Sequence, residues 1–390
     1  ARTGMYSLCW TPVDAAAEGP HRPPLVVTTR AVLGEYASFA ASLTLHMVLL
    51  LDACSSAAPS LRGTRLVLAL TQVLAGHATP PSRLLMLTRG ALAAGGAAAD
   101  AAHGGAWGFA RVLRLEHGAL RPQSVDADVL RASARPLVAR CTLLAPTTEA
   151  EVAWTGEVHV LVARLRACTM ASNATASLAA GAYAITGGLG GLGLRAAKML
   201  AQRGASGVAL SSRSGRVGGA AIDVEQVAMV RIAACDVGDA ADALALPACA
   251  ASAGVLHAAG VLHDKMLRSM DAHEVHGVLA PKALGASHVQ AAVMRTPLEA
   301  FGLFSSVAST FGNVGQANYA AANAYLDALA ASRRRHGTLG SSLQIPAVSG
   351  AGMGAETFAL LQLEAMGAIS LDEFAAWLVD VASPAVMERT

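Results

Sequence analysis

Short apolar runs bounded by Gly, Pro or polar turn residues recur along this chain and alternate with longer stretches of helical pattern. That alternation predicts buried strands and crossover helices of an α/β layer. In the first part, Leu25 to Thr29, Arg65 to Leu70 and Arg83 to Thr88 read as strands with helices filling the gaps, and Trp107 to His117 reads as an amphipathic core helix. In the second part the strand runs are Ala182 to Thr186, Val208 to Ser212, Ala228 to Ala234, Gly254 to Ala258, Phe301 to Ser305 and Ser342 to Ala347. Helices are expected up to Leu200, from Asp271 to Met294, and from Tyr319 to Arg335. The polar, small-residue stretch Ala171 to Ser177 separates the two parts, so residues 1–177 and 178–390 are expected to form separate domains. The predicted fold class is α/β, with a doubly wound parallel sheet in the second domain.

Composition narrows the function classes. Of 390 residues, 54% are hydrophobic and 14% charged, which suits a large buried core and excludes intrinsic disorder. The net charge of +2, with both signs scattered, gives no footprint for nucleic acid or anionic lipid. The uncharged stretches around Ala37 to Leu51 and Leu92 to Phe109 are interrupted by polar or small residues and are not expected to span a membrane. Six cysteines lie far apart with no Cys/His cluster, which argues against a metal site or a disulfide framework and for a reducing, cytoplasmic compartment. A start at Ala1 suggests a segment cut from something longer. Only Lys198, Lys265 and Lys282 are lysines, so each retained lysine invites a chemical question.

The run Thr186, Gly187, Gly188, Leu189, Gly190, Gly191, Leu192, Gly193 stands between a predicted strand and a predicted helix. Glycines so spaced let the chain turn tightly and let backbone N–H groups at a helix start approach a pyrophosphate. After the next strand come Ser212 and Arg213, where an acidic residue would read an NAD ribose; arginine suits a 2′-phosphate instead. Asp236 and Val237 follow another strand, and Ala258, Ala259 and Gly260 a further one, at the carboxyl ends where such sheets bind ligands. None of the first-half strands is followed by such a turn, and Thr28 to Val32 stands where one would have to be, so that half reads as a scaffold. Ser306 ends a strand, Tyr319 opens a helix with Asn323 one turn on, and Lys282 lies in the preceding crossover helix. A phenol needs a neighbouring cation to exchange protons near neutral pH, and Lys282 is the candidate. His257 and His263 read as structural or pocket-lining.

These motifs resemble the ketoreductase domains of modular polyketide synthases, within the short-chain dehydrogenase/reductase superfamily. The resemblance rests on Thr186 to Gly193, Ser211 to Arg213, Cys235 to Val237, His257 to Gly260, Lys282, Phe304 to Ser306 and Gly315 to Leu329. Free-standing members of the superfamily carry their lysine four residues after the tyrosine; Asn323 occupies that place here, as in synthase reductases. In the first half, Tyr6 to Trp10, Leu87 to Ala91 and Trp107 to His117 resemble the family's structural subdomain. The resemblance implies a truncated Rossmann-like structural subdomain without cofactor, followed by a Rossmann-like catalytic domain that binds NADPH. It implies a β-ketoacyl thioester substrate on the phosphopantetheine arm of an acyl carrier protein, and neighbouring synthase domains as partners. It also implies that Tyr319, Ser306, Lys282 and Asn323 are catalytic, and that Asp264, Phe311 and Gln316 guide the substrate. Leu262-His263-Asp264 keeps the last aspartate of the family's Leu-Asp-Asp motif, and position 311 is Phe rather than Trp, which together point to the D-configured hydroxyl.

Three segments depart from the family pattern. Arg213 to Cys235 and Asp239 to Gly254 are short, and Ile345 to Met353 replaces a tryptophan-rich stretch before the family's lid. The alternatives are a reductase-like domain kept for architecture without turnover, or a free-standing small-molecule reductase or epimerase.

Overall fold

The computed structural model describes residues 5–13, 25–28, 46–51, 58–76, 83–92, 100–127, 148–155, 159–168, 178–217, 229–246, 253–353 and 367–382. The separating stretch 171–177, the loop 29–32 and parts of the two short segments, 218–228 and 247–252, lie outside the described residues. In chain order the first elements are β1 (Met5–Val13), β2 (Leu25–Thr28), β3 (His46–Leu51), α1 (Leu61–Ala75), β4 (Arg83–Thr88), α2 (Gly104–Glu116), β5 (Pro122–Ala127), β6 (Glu151–Thr155) and β7 (His159–Cys168). Next come β8 (Ala182–Thr186), α3 (Gly191–Gln202), β9 (Gly207–Ser212), β10 (Val230–Ala234), α4 (Ala240–Ala245), β11 (Gly254–His257), α5 (Ala272–Leu279) and α6 (Gly285–Val293). The described elements close with β12 (Ala300–Ser306), α7 (Ala308–Phe311), α8 (Ala317–Arg335), β13 (Ser341–Ile345) and α9 (Leu371–Ala382).

Two compact units emerge: Ala1–Ala171 with Asp264–Val275 and Thr310–His336, and Ser172–His263 with His276–Ser309 and Gly337–Thr390. In the first, the sheet order is β1-β7-β6-β5-β4-β3-β2, with β2 to β6 parallel and β1 and β7 antiparallel. Among the described residues, the parallel strands β2 to β6 step across the sheet in chain order without a reversal. At the ends of β4 and β5, Asp126 accepts from Thr88 Oγ1 (2.7 Å) and from the amides of Ala91 (2.9 Å) and Leu92 (3.0 Å). A carboxylate of the fold itself thus satisfies these two loop amides. Arg111 and Arg114 of α2 both hold Glu151 of β6. Burial alone would push that carboxyl up, but the two guanidinium groups outweigh it and keep it below the usual range.

One expected strand is a helix. Arg65 to Leu70 lies within α1, where the Ser60 side chain caps the Gly63 amide (3.1 Å) and Leu66, Val67, Leu70 and Leu74 bury one face. A five-residue apolar run fits a buried helix as well as a strand, and the cap decides. The strand role falls to β3, inside the stretch that the sequence marked only as uncharged.

Against α2 packs α8, a long helix rich in alanine. A Cβ at Gly108 would lie 2.1 Å from the Ala320 carbonyl oxygen, so the two backbones touch there.

In the second unit the order is β10-β9-β8-β11-β12-β13, all parallel. Numbered from β8, this is the 3-2-1-4-5-6 order of a doubly wound dinucleotide fold, with its reversal between β8 and β11. Tyr183, Leu256 and Phe301 bury the middle of this sheet.

Candidate active site

At the β8 to β11 reversal a cleft opens in the second unit. The chain leaves β8 through Gly187, whose φ of +64° is left-handed and where a Cβ would lie 2.7 Å from the Ala259 backbone. Helix α3 then starts at Gly191 after Gly190, which offers no side-chain cap. The amides of Gly191, Leu192 and Gly193 therefore lack intrahelical acceptors and face an anion-ready cleft at the positive end of the helix. Gly187 and Gly190 to Gly193 line that cleft, with Ser212 and the exposed Arg213 after β9, Asp236 and Val237 after β10, and Ala258, Ala259 and Gly260 after β11. These residues fit a dinucleotide, since an uncapped helix start meets the carboxyl ends of the strands at the switch point.

Three of the expected cofactor residues do not line the cleft. Thr186 is buried and paired with His257, Gly188 donates its amide to the Ser211 carbonyl (2.9 Å), and Leu189 sits on the turn beside the cleft. Cys235, Val261, Pro281, Gly352 and Met353 line it without having been expected among the cofactor residues. Gly352 and Met353 belong to the segment whose family tryptophans are replaced; the left-handed glycines Gly350 and Gly352 were the only local signal.

The expected crossover helix from Asp271 to Met294 is α5 and α6 joined by a π-helical turn over Ala280–Leu284. Pro281 has no N–H to continue the α ladder, which explains a change of register there. Lys282 sits in this turn, buried, and its Nζ donates to the Phe304 carbonyl of β12 (2.9 Å). Its aliphatic stem packs on Gly260, where a Cβ would come 2.8 Å from Lys282 Cε. His257, opposite Thr186 in the β8–β11 register, bridges Thr186 Oγ1 (2.8 Å) and the Lys282 carbonyl (2.8 Å). Burial lowers the His257 pKa to about 4; the hydrogen bond to the Lys282 carbonyl opposes this and the Lys282 charge adds to it. A neutral ring bonded to a carbonyl must carry its proton on Nε2, so Nδ1 accepts from the Thr186 hydroxyl. Ser306 ends β12, half-buried, and its Oγ accepts from the Ala308 amide (3.2 Å).

The remaining site residues belong to the first unit. Tyr319 is half-buried in the first turn of α8, and Asn323 is fully buried one turn on, with its Nδ2 donating to the Tyr319 carbonyl (2.8 Å). Gln316 Nε2 donates to Asp264 Oδ2 (2.9 Å), bringing two expected substrate guides together, while Phe311 is 60% exposed. Among the described residues no cluster of His, Cys, Asp or Glu could hold a metal ion, and no helix is long and apolar enough to cross a membrane.

A family model described as KR domain matches residues 181–350, and one described as the Rossmann fold domain of the polyketide synthase extender module SpnB matches residues 8–165. Polyketide synthase GfsA of Streptomyces halstedii is 40% identical over 306 residues, covering 74% of this chain and 4% of the relative. Spectinabilin polyketide synthase system protein NorA' of Streptomyces orinoci is 38% identical over 293 residues, covering 72% of this chain and 8% of the relative. The chain thus spans a small part of the curated relatives it matches. Among solved structures, one of A-type ketoreductases from modular polyketide synthase is similar with a TM-score of 0.82 at 28% identity, over 98% of this chain and 90% of that one. The first ketoreductase of the tylosin polyketide synthase is similar with a TM-score of 0.79 at 27% identity, over 98% and 90%.

Proposed function

We propose a reaction for this chain from the premise that it belongs to the ketoreductase domains of modular polyketide synthases, within the short-chain dehydrogenase/reductase superfamily. Such domains are oxidoreductases that reduce β-keto groups. The reaction is the NADPH-dependent reduction of a β-ketoacyl thioester, carried on the phosphopantetheine arm of an acyl carrier protein, to the D-configured β-hydroxyacyl thioester. The observation that carries this reading is the buried Lys282, packed on Gly260 of the cleft and held in a π turn beside Pro281.

In this reading Gly187 and the α3 start hold the cofactor pyrophosphate, and Arg213 pairs with the 2′-phosphate. When bound, the reduced nicotinamide supplies a hydride to the ketone carbon. The Ser306 and Tyr319 hydroxyls hold the ketone oxygen, and Tyr319 gives it the proton that completes the alcohol. Lys282 stabilises the phenolate left behind, and Asn323 positions Lys282 and a water. Asp264 and Gln316 guide the phosphopantetheine arm, with Phe311 at the place where other members carry tryptophan. Neighbouring synthase domains would deliver the carrier protein.

Incubation with NADPH and a β-ketoacyl-N-acetylcysteamine thioester, followed by chiral chromatography, tests the proposal. The D-hydroxy thioester is expected from the native chain. The Tyr319→Phe variant should form no product while binding NADPH as before. Turnover by that variant would overturn the mechanism, and a predominantly L product would overturn the stereochemical assignment.

A further inference from the structure

The helix that ends at Glu116 has so far served only as scaffold, yet its last side chain reaches two loops that carry site residues. Glu116 Oε2 accepts the amide of Leu267 (2.7 Å), three residues after Asp264, and Oε1 accepts the amide of Gly315 (2.9 Å), next to Gln316 and four residues before Tyr319. The same loops are laced to each other, since the Lys265 amide donates to the Gly315 carbonyl (2.7 Å) and Gln316 Nε2 donates to Asp264 (2.9 Å). From α1, Gln72 Nε2 donates to the carbonyls of Leu267 (2.9 Å) and Met270 (2.7 Å), so the Asp264 loop is held from two helices. A carboxylate accepting a backbone N–H on each oxygen is a charge-assisted clamp with defined geometry.

We propose that Glu116 is a specificity-positioning residue: it fixes the Asp264 loop against the Phe311–Gln316 loop and thereby sets which ketone face is reduced. This inference rests on the reaction proposed above. Facial selectivity is a difference between two competing transition states, so a small change in the spacing of the guiding loops alters the product ratio before it abolishes turnover. Both carboxylate oxygens of Glu116 are engaged by these loops rather than by the glycine turn, Arg213 or Lys282, so cofactor binding is not its task.

Glu116→Gln is the informative substitution, because the side chain keeps its shape while one of its two acceptors becomes an N–H donor facing a backbone N–H. In the full chain, the fraction of the minor hydroxyl isomer should rise by about tenfold, and KM for the thioester severalfold, with NADPH affinity retained. Amide hydrogen exchange should quicken across residues 264–270 and 311–316. Gln72→Met, which frees the Asp264 loop from the other helix, should move the product ratio in the same direction by less, and it serves if Glu116→Gln does not fold.

Faster exchange or a lower melting temperature with an unchanged product ratio and KM in the folded variants would leave Glu116 a structural residue and overturn this inference alone. A native chain that reduces no thioester would overturn the proposed reaction and this inference with it. A native chain that yields the L product, with selectivity lost in Glu116→Gln, would correct the stereochemical assignment and support the clamp.

Discussion

Buried between Thr186 and the Lys282 carbonyl, His257 binds a proton far less readily than an exposed imidazole, with its pKa lowered to about 4. The unfolded chain takes up that proton near pH 6.5, so the neutral ring contributes fully above that pH, and the contribution drains away as pH falls towards 4. The shift corresponds to about 3 kcal/mol as an order of magnitude. His257→Gln keeps a donor for the Lys282 carbonyl without a titrating group, so urea unfolding across this window should show a flatter loss of stability than in the native chain. Equal slopes would show that His257 is not the titrating group. At the mouth of the cleft, Arg213 is exposed, so Arg213→Ala should leave folding intact. It should weaken NADPH binding by about 1.5 to 3 kcal/mol and spare NADH, as for one charge-assisted hydrogen bond. Equal loss for both nicotinamides in a fluorescence titration would deny the arginine its phosphate. Lys282 was singled out in the sequence as one of three lysines and by its place in a crossover helix, and the structure buries it against Gly260 of the cleft. Glu116 was not singled out, since its partners lie 151 and 199 residues away and are backbone amides that leave no side-chain pattern to read.

Elements were legible where pattern and punctuation agreed. The glycine turn followed by α3 was readable because strand, glycine and helix come in sequence, and α8 because an alanine-rich stretch without Gly or Pro runs to Arg333, Arg334 and Arg335, cations that suit a helix C-terminus. Arg65 to Leu70 was misread because apolar residues alone do not choose between a strand and a buried helix. The π turn was invisible, since Pro281 announces a break in the ladder without saying how the chain repairs it. The contact of α2 with α8 makes a prediction at this scale. Gly108→Ala puts a methyl group 2.1 Å from the Ala320 carbonyl, which forces the helices apart. A destabilisation of about 1 to 3 kcal/mol is expected in denaturant melts, the usual cost of overpacking. Because α8 carries Tyr319, kcat should fall while NADPH affinity holds. Gly118→Ala, where a Cβ would meet nothing within 4 Å, should be neutral in both measurements.

At the scale of the whole chain, the order of strands separates the two halves more sharply than any motif. The first sheet steps from β2 to β6 without a reversal and has Asp126 seated on its loop amides, whereas the second reverses between β8 and β11 and keeps the amides of α3 uncapped. Chain order does not respect this division, because α8 groups with the first unit although β12 and β13 on either side of it belong to the second. That grouping depends on backbone contact with α2 about 200 residues earlier, which no local pattern announces. A fragment of residues 178–390 would therefore keep the cleft residues and lose the surface on which α8 is packed. Ala320, Ala321, Ala324 and Ala328 are buried and lie against Gly104, Gly105 and Gly108 of α2, and exposing them costs roughly 0.8 kcal/mol per methyl-sized group. The fragment should be poorly soluble or unfold at a clearly lower temperature, and what folds should bind NADPH while reducing thioester far more slowly than the full chain. A fragment that matches the full chain in melting temperature and turnover would show that residues 1–177 are dispensable to the reductase and that α8 stands without α2.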